Sequence, residues 1–198
     1  MLTLDRDRLA QYSDLVRSRS GAAVTVRFSE PGDAAALQAY FRGLSVLSRY
    51  NRLMGAASEL PPGQLELFTH LRDDNRFSVV ATMTAGGIET MVGEARYALD
   101  AEGVGVELGL SVADRLHGQG IGTALLANLE CRAAALGAEH LFGDTLRSND
   151  AMLALARKSG FVLAPTPNDW KQVRFTKQID ITPQEIPCAT WRLAVEAA

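Results

Sequence analysis

The chain has 198 residues, 47% hydrophobic and 22% charged, which suits one globular domain with at most a short appendage and excludes global disorder. Its formal net charge of −3 argues against a protein that tracks nucleic-acid phosphates. No apolar run approaches the roughly 18 residues of a membrane span, and the start, Met-Leu-Thr-Leu-Asp-Arg, lacks the apolar stretch of a secretory signal, so a cytoplasmic protein is expected, bound neither to nucleic acid nor to membrane.

In chain order, Leu9, Tyr12 and Val16 share one helical face, and their spacing predicts a polar helix over residues 4–17. Val24-Thr25-Val26-Arg27-Phe28 alternates as a strand. Pro31 and Asp33 open a helix with Leu37, Phe41 and Leu44 on its apolar side. A short helix over 46–54 follows, and then one from Pro61-Pro62 through Leu71. Residues 77–84 and 88–99 read as a hairpin turned by Ala85-Gly86-Gly87. The strand over 104–112 has the sharpest alternation in the chain, with Val104, Val106, Leu108, Leu110 and Val112 on one face and Gly105, Glu107, Gly109 and Ser111 on the other. Ile121, Leu125, Leu129 and Ala133 then mark a helix that Gly137 stops. A strand over 140–146, a helix capped by Ser148 or Asn149 and ending at Gly160, and strands around 171–178 and 188–195 complete the chain. The order is α+β, built around an antiparallel hairpin, and the strand–loop–helix–strand unit can supply one parallel pair.

Between the sharpest strand and its helix lies His117-Gly118-Gln119-Gly120-Ile121-Gly122. Glycines let main-chain N–H groups converge, and the following helix adds its unpaired N–H groups and the positive end of its dipole. Such a turn either cradles an anion, most naturally phosphate, or is simply tight. A dinucleotide fingerprint would need glycine where Thr123 stands, and a Walker loop would need a lysine that is missing.

The stretch from Glu107 to Phe161 resembles the acyl-CoA-binding core of the GNAT N-acetyltransferase superfamily. Its first signature reads here His117-Gly118-Gln119-Gly120-Ile121-Gly122. Its second, an Asn before a helix that closes on Gly-Phe, runs from Asn149 to Gly160-Phe161. The resemblance spans residues 23–180 and implies a GNAT fold: a mixed, mostly antiparallel sheet flanked by helices, with a parallel strand pair splayed around the acyl-CoA site. With the helix read from spacing near the start, the chain is expected to divide into an N-terminal helical extension, 1–20, and an acetyltransferase domain, 21–198. The resemblance implies acetyl-CoA as cosubstrate and no metal. The main-chain amides of His117, Gly118, Gln119, Gly120, Ile121, Gly122 and Thr123 would hold the pyrophosphate, Leu110 and Val112 would pair with the pantetheine arm through their backbone, and Asn149 would lie near the thiol. Two departures stand out. His117 replaces the usual Gln or Arg, and Ala156 stands where many members carry a Tyr that protonates the leaving thiolate.

Acyl transfer to an amine needs a base, because a lysine amine has a pKa of about 10.4. Glu107 sits mid-strand among small neighbours and is the first candidate, with Glu94 on the adjacent predicted strand second; otherwise Glu107 is an exposed polar residue on a half-buried strand. His70 and His140 read as structural and surface residues. The stretch from Arg27-Phe28 through Gly32-Asp33, then Leu44-Ser45 and Ser48-Arg49-Tyr50-Asn51-Arg52-Leu53-Met54, and the segment Val92-Gly93-Glu94-Ala95-Arg96-Tyr97 resemble the Pat-type protein lysine acetyltransferases, in which a Glu on the strand before the glycine loop is the proposed base, a position that Glu107 matches. Members often add a nucleotide-sensing domain, for which 198 residues leave no room. The expected partner is an amine, either a protein lysine or a small molecule, with a homodimer left open. A non-catalytic acyl-CoA sensor is the alternative that Ala156 supports. Cys131 and Cys188, far apart and without a CxxC or Cys/His cluster, exclude structural zinc; they are expected to be reduced, with Cys131 an inert buried thiol.

Overall fold

The computed structural model describes residues 13–69, 76–135, 137–167 and 169–180. Among them are eight strands, β1 (Ser13–Arg17), β2 (Ala23–Phe28), β3 (Arg76–Ala85), β4 (Ile88–Leu99), β5 (Gly105–Val112), β6 (His140–Leu146), β7 (Val162–Thr166) and β8 (Asp169–Gln178). The α-helices are α1 (Ala34–Gly43), α2 (Val46–Leu53), α3 (Pro62–Thr69), α4 (Ile121–Ala135) and α5 (Asp150–Lys158). The strands form one sheet in the order β1-β2-β3-β4-β5-β6-β8-β7. Every pairing is antiparallel except β5 with β6, whose connection runs through α4.

Strand alternation fixes what each face of the sheet packs against. Val106 and Leu108 of β5, with Val79 and Tyr97, meet Leu125 and Leu129 of α4. The opposite face carries Val80 and Met91 and is covered by Leu37, Tyr40, Phe41 and Phe68 from α1 and α3. Two hydrophobic layers thus clamp the middle of the sheet and hold β4 and β5 in place. One face of β5 is core, and the other, with Glu107, Gly109 and Ser111, is turned toward α2, whose Arg52 reaches Gly109.

The helix predicted over 4–17 is not what the described part forms. Residues 1–12 lie outside the described residues, and Ser13–Arg17 is the edge strand β1, registered from Ser13↔Arg27 to Arg17↔Ala23. It therefore belongs to the sheet rather than to a helical extension. The strand is short, polar and at the edge, so only Val16 packs on the core while Leu15 is exposed, and too few buried positions exist to print a period-2 pattern. A turn closed by Ser18 N–H to Ala22 O and Gly21 N–H to Ser18 O returns it to β2. The strand expected over 188–195 also lies outside the described residues.

Candidate active site

Strands β5 and β6 are paired only at Gly105↔His140, Val106↔Leu141 and Glu107↔Phe142, after which they part. Gly143 sits at the divergence, where a Cβ would come within 2.6 Å of Leu108 O. Alternation decides which edge of β5 is left open. Ala113 N–H donates to Val92 O on the β4 side, so the main-chain groups of Leu108, Leu110 and Val112 turn the other way, toward the gap. Leu110 and Val112, the residues expected to pair with an extended ligand arm, lie past the last β6 pairing and offer a free strand edge. Val112 O is taken in part, since His117 Nε2 donates to it at 2.9 Å.

The parting strands open a cleft of about 920 Å³. The glycine turn lines it. His117 N–H and Gln119 N–H are committed within the turn, to Asp114 O at 3.2 Å and Leu116 O at 3.3 Å. Of the seven amides expected to bind phosphate, these two are therefore engaged. Gly118 and Gly120 make no such turn bonds, and Ile121, Gly122 and Thr123 form the first turn of α4, whose N–H groups have no partner within the helix. Gly118 (φ 75°) and Gly120 (φ 89°) adopt the left-handed backbone that aims these amides, which explains glycine at both positions. Arg19, from the β1–β2 turn, donates its N–H to Gln119 O at 2.8 Å and lines the cleft beside Gly120. The helical reading of the N-terminal segment hid this residue.

The other wall of the cleft is made of side chains. Glu94 Oε1 accepts from Arg52 Nε at 2.6 Å and from Ser111 Oγ at 2.6 Å, and Oε2 accepts from Arg52 Nη2 at 2.9 Å. The pair is only 7% and 4% exposed, so water does not compete for it. Burial works against the Arg52 charge, but the Glu94 carboxylate outweighs it and holds the guanidinium above its usual range. Tyr40 Oη lies 3.0 Å from Ser111 Oγ; burial, reinforced by the Glu94 charge, keeps the phenol neutral far above its ordinary range. Glu94, the second candidate base, is thus tied into a buried network. Glu107 is exposed, lines the cleft and makes no hydrogen bond or ion pair among the described residues. Nearby, Asp144 is held by Arg174 (2.6 and 3.1 Å) and Thr166; burial works against its charge, yet these bonds keep it below its usual range.

The block Ser48–Arg52 fastens α2 over this wall. Asp114 accepts from Ser45 N–H (2.9 Å), Ser45 Oγ (2.7 Å) and Ser48 Oγ (2.6 Å), while Arg49 donates to the carbonyls of Ala57 and Leu44. Asn149 lines the cleft, but Nδ2 donates to Thr145 Oγ1 at 3.0 Å and Oδ1 caps α5 by accepting from Met152 N–H at 3.2 Å. Ala156 is fully buried in the core and does not line the cleft, so no proton donor replaces the missing tyrosine there. His140 packs on Gly105, at the paired end of β5 and β6 and away from the cleft. His70 lies outside the described residues. Cys131 is buried as expected but is disulfide-bonded rather than a free thiol, which removes the argument for a reducing compartment; Cys188 lies outside the described residues. Distance along the chain carries no information on whether two cysteines meet in space. Tyr40 gives no functional signal in the sequence, and Arg52 and Arg96 show there only as members of the two stretches that resemble the Pat-type enzymes, because each acquires its role from partners on distant elements.

No α-helix among the described residues is long and apolar enough to cross a membrane, and no group of three or more metal-ligating side chains occurs among them. A mixed sheet opened by a single parallel pair, with an amide-lined turn at the mouth of the gap, defines an enzyme of the acetyl-transferring class. The model of the acetyltransferase (GNAT) family matches residues 37–161, and the chain belongs to that family, which uses acetyl-CoA and acts on amines. It is 27% identical over 153 residues to the acetyltransferase PA5475 of Pseudomonas aeruginosa, covering 77% of this chain and 82% of that one. Its fold is similar to the GNAT domain of S. lividans PAT (TM-score 0.77, 24% identity, 85% of this chain and 98% of that one). It is also similar in fold to spermidine N-acetyltransferase from Vibrio cholerae, solved with CoA and spermine (TM-score 0.62, 15% identity, 79% and 95% covered).

Proposed function

We propose that the chain transfers acetyl from acetyl-CoA to a primary amine by direct attack, with Glu107 as general base. The observation that carries this reading is the state of the two carboxylates on one sheet face: Glu94 is saturated by Arg52 and Ser111, whereas Glu107 stands free in the cleft. The free amides of Gly118, Gly120 and the first turn of α4 suit a pyrophosphate, and the open edge at Leu110 and Val112 suits an extended, amide-bearing arm. Arg19 beside the turn adds a cation where phosphates would lie.

The acceptor enters as an ammonium. Freeing an amine of pKa about 10.4 at pH 7 costs about 4.6 kcal/mol. General-base catalysis, worth roughly 10²–10⁴ in rate, is of that order, so one carboxylate suffices. Glu107 takes one proton from the ammonium, the amine nitrogen bonds to the acetyl carbon, the carbon–sulfur bond breaks, and the second nitrogen proton passes to water as the neutral amide forms. The leaving thiolate belongs to a thiol of pKa about 8.5 and departs without an acid, in keeping with the absence of a donor at Ala156. A protein lysine, the acceptor class of the Pat-type enzymes that the sequence resembles, is the first acceptor to assay, followed by small amines. Glu107→Gln keeps size and removes the base. Its kcat is expected to fall about 10²–10⁴-fold across pH 6–9 with acetyl-CoA affinity unchanged; a variant that turns over at the wild-type rate overturns the assignment of Glu107.

A further inference from the structure

Most charged groups on the side-chain wall of the cleft are paired: Arg52 with Glu94, Asp144 with Arg174, and Asp114 with the two serines. Glu107 and Arg96 are not. Arg96 lies on β4 with its guanidinium carbon 4.0 Å from the centroid of the Phe68 ring, and it lines the cleft. Its Nε is buried and has no hydrogen-bond partner, and no described residue forms an ion pair with it. Burial, and then the like charge of Arg52, push it down to about 10, so it remains a cation at neutral pH. The aromatic face offsets part of the burial cost but satisfies none of the N–H groups.

Two more polar atoms on the same wall are buried without partners: Asn51 Oδ1 on α2 and Gln64 Oε1 on α3. Glu107 is near as well. Arg96 lies opposite Gly109 in the β4–β5 register and Glu107 opposite Ala98, so the two are diagonal neighbours on one face, a spacing of roughly 7–8 Å in such ladders. They are not joined by an ion pair. The wall therefore presents one uncommitted carboxylate and one uncommitted guanidinium side by side.

We infer that the acceptor is an amine that also carries a carboxylate, with the amine at Glu107 and the carboxylate on the Arg96 guanidinium. The inference rests on the reading of the cleft as an acetyltransferase site and narrows its acceptor. The planar fork of an arginine matches a carboxylate in two parallel hydrogen bonds. A polyamine would place a second cation beside Arg96, and a simple alkylamine would leave Nε unpaired, so both fit the wall less well. Asn51 Oδ1 and Gln64 Oε1 are placed to accept N–H groups of the same molecule. The carboxylate comes either from a free amino acid or from an acidic residue beside a lysine in a peptide.

The test is binding of matched pairs to protein saturated with CoA, followed by turnover with acetyl-CoA. The small-molecule pairs are β-alanine, 4-aminobutyrate and 6-aminohexanoate, each against its amide; the peptide pair places Glu or Gln beside one lysine. In at least one pair the acid form is expected to bind about tenfold or more tighter than its neutral partner. Arg96→Gln is expected to abolish that preference and Arg96→Lys to keep part of it, both with wild-type CoA affinity. A preference confined to the small pairs identifies a free amino acid as the source, and one confined to the peptide pair identifies a protein. Equal binding of acid and neutral forms by the wild type, or a preference that survives in Arg96→Gln, overturns the inference. Preference without acetyl transfer overturns the activity and leaves the carboxylate site standing, while transfer without preference does the reverse.

Discussion

The two walls of the cleft come from different parts of the chain and offer different chemical groups. The wall formed by β5, the glycine turn and α4 is one continuous stretch, and what it offers is main chain: amides of Gly118, Gly120 and the first helical turn, and the open edge at Leu110 and Val112. The facing wall is made of side chains: Arg52 and Arg96 line the cleft, and Tyr40, Phe68 and Glu94 hold them from behind, the five coming from four separate elements. A main-chain wall depends on conformation, so it tolerates any residue that can take the backbone shape. A side-chain wall depends on identity, so single replacements remake it. This is how one scaffold can keep a common cosubstrate while its acceptor changes.

Breaking the first wall should give the largest effect. Gly120 has a φ of 89°, so Gly120→Glu strains the turn and sets a negative charge where phosphate would bind. Acetyl-CoA affinity by calorimetry is expected to fall about 10³-fold or more, some 4 kcal/mol, and a folded variant with wild-type affinity would contradict the cradle. Breaking the second wall should act on stability instead. Arg52→Ala leaves the Glu94 carboxylate buried beside Ser111 without its cation. A loss of about 3 kcal/mol is expected, at the lower end for a broken buried pair because the cleft lies close by. The readout is the urea midpoint at constant slope. Acetyl-CoA affinity, which we assign to the other wall, should stay within about threefold. A loss below about 1 kcal/mol would mean that the network is solvated, as exposed pairs are.

The same contrast explains what the sequence disclosed. The main-chain wall is local, so the alternation of β5, the three glycines and the cap at Asn149 were readable in order, and the structure follows them closely. The side-chain wall depends on sheet register. Nothing near Arg52 in the sequence indicates that Glu94 will meet it, and nothing near Arg96 that Phe68 will lie over it. Glu94 and Glu107 both read as candidate bases, and only the β4–β5 register, with Glu94 opposite Ser111, separates the bound carboxylate from the free one. The edge strand β1 was misread because its pairing with β2, not its own pattern, makes it a strand. The disulfide at Cys131 was missed because proximity in space has no local signature.

The central claim is that this cleft performs chemistry and does not merely bind. The most direct measurement is release of free thiol from acetyl-CoA by the purified chain, with and without primary amines, together with mass detection of the acetylated product. Amine-dependent thiol release is expected, with one acetylated amine per thiol, and its loss in the Glu107→Gln variant. Tight binding of acetyl-CoA with no thiol released to any amine, lysine peptides and amino acids included, would contradict the claim and make the protein an acyl-CoA sensor.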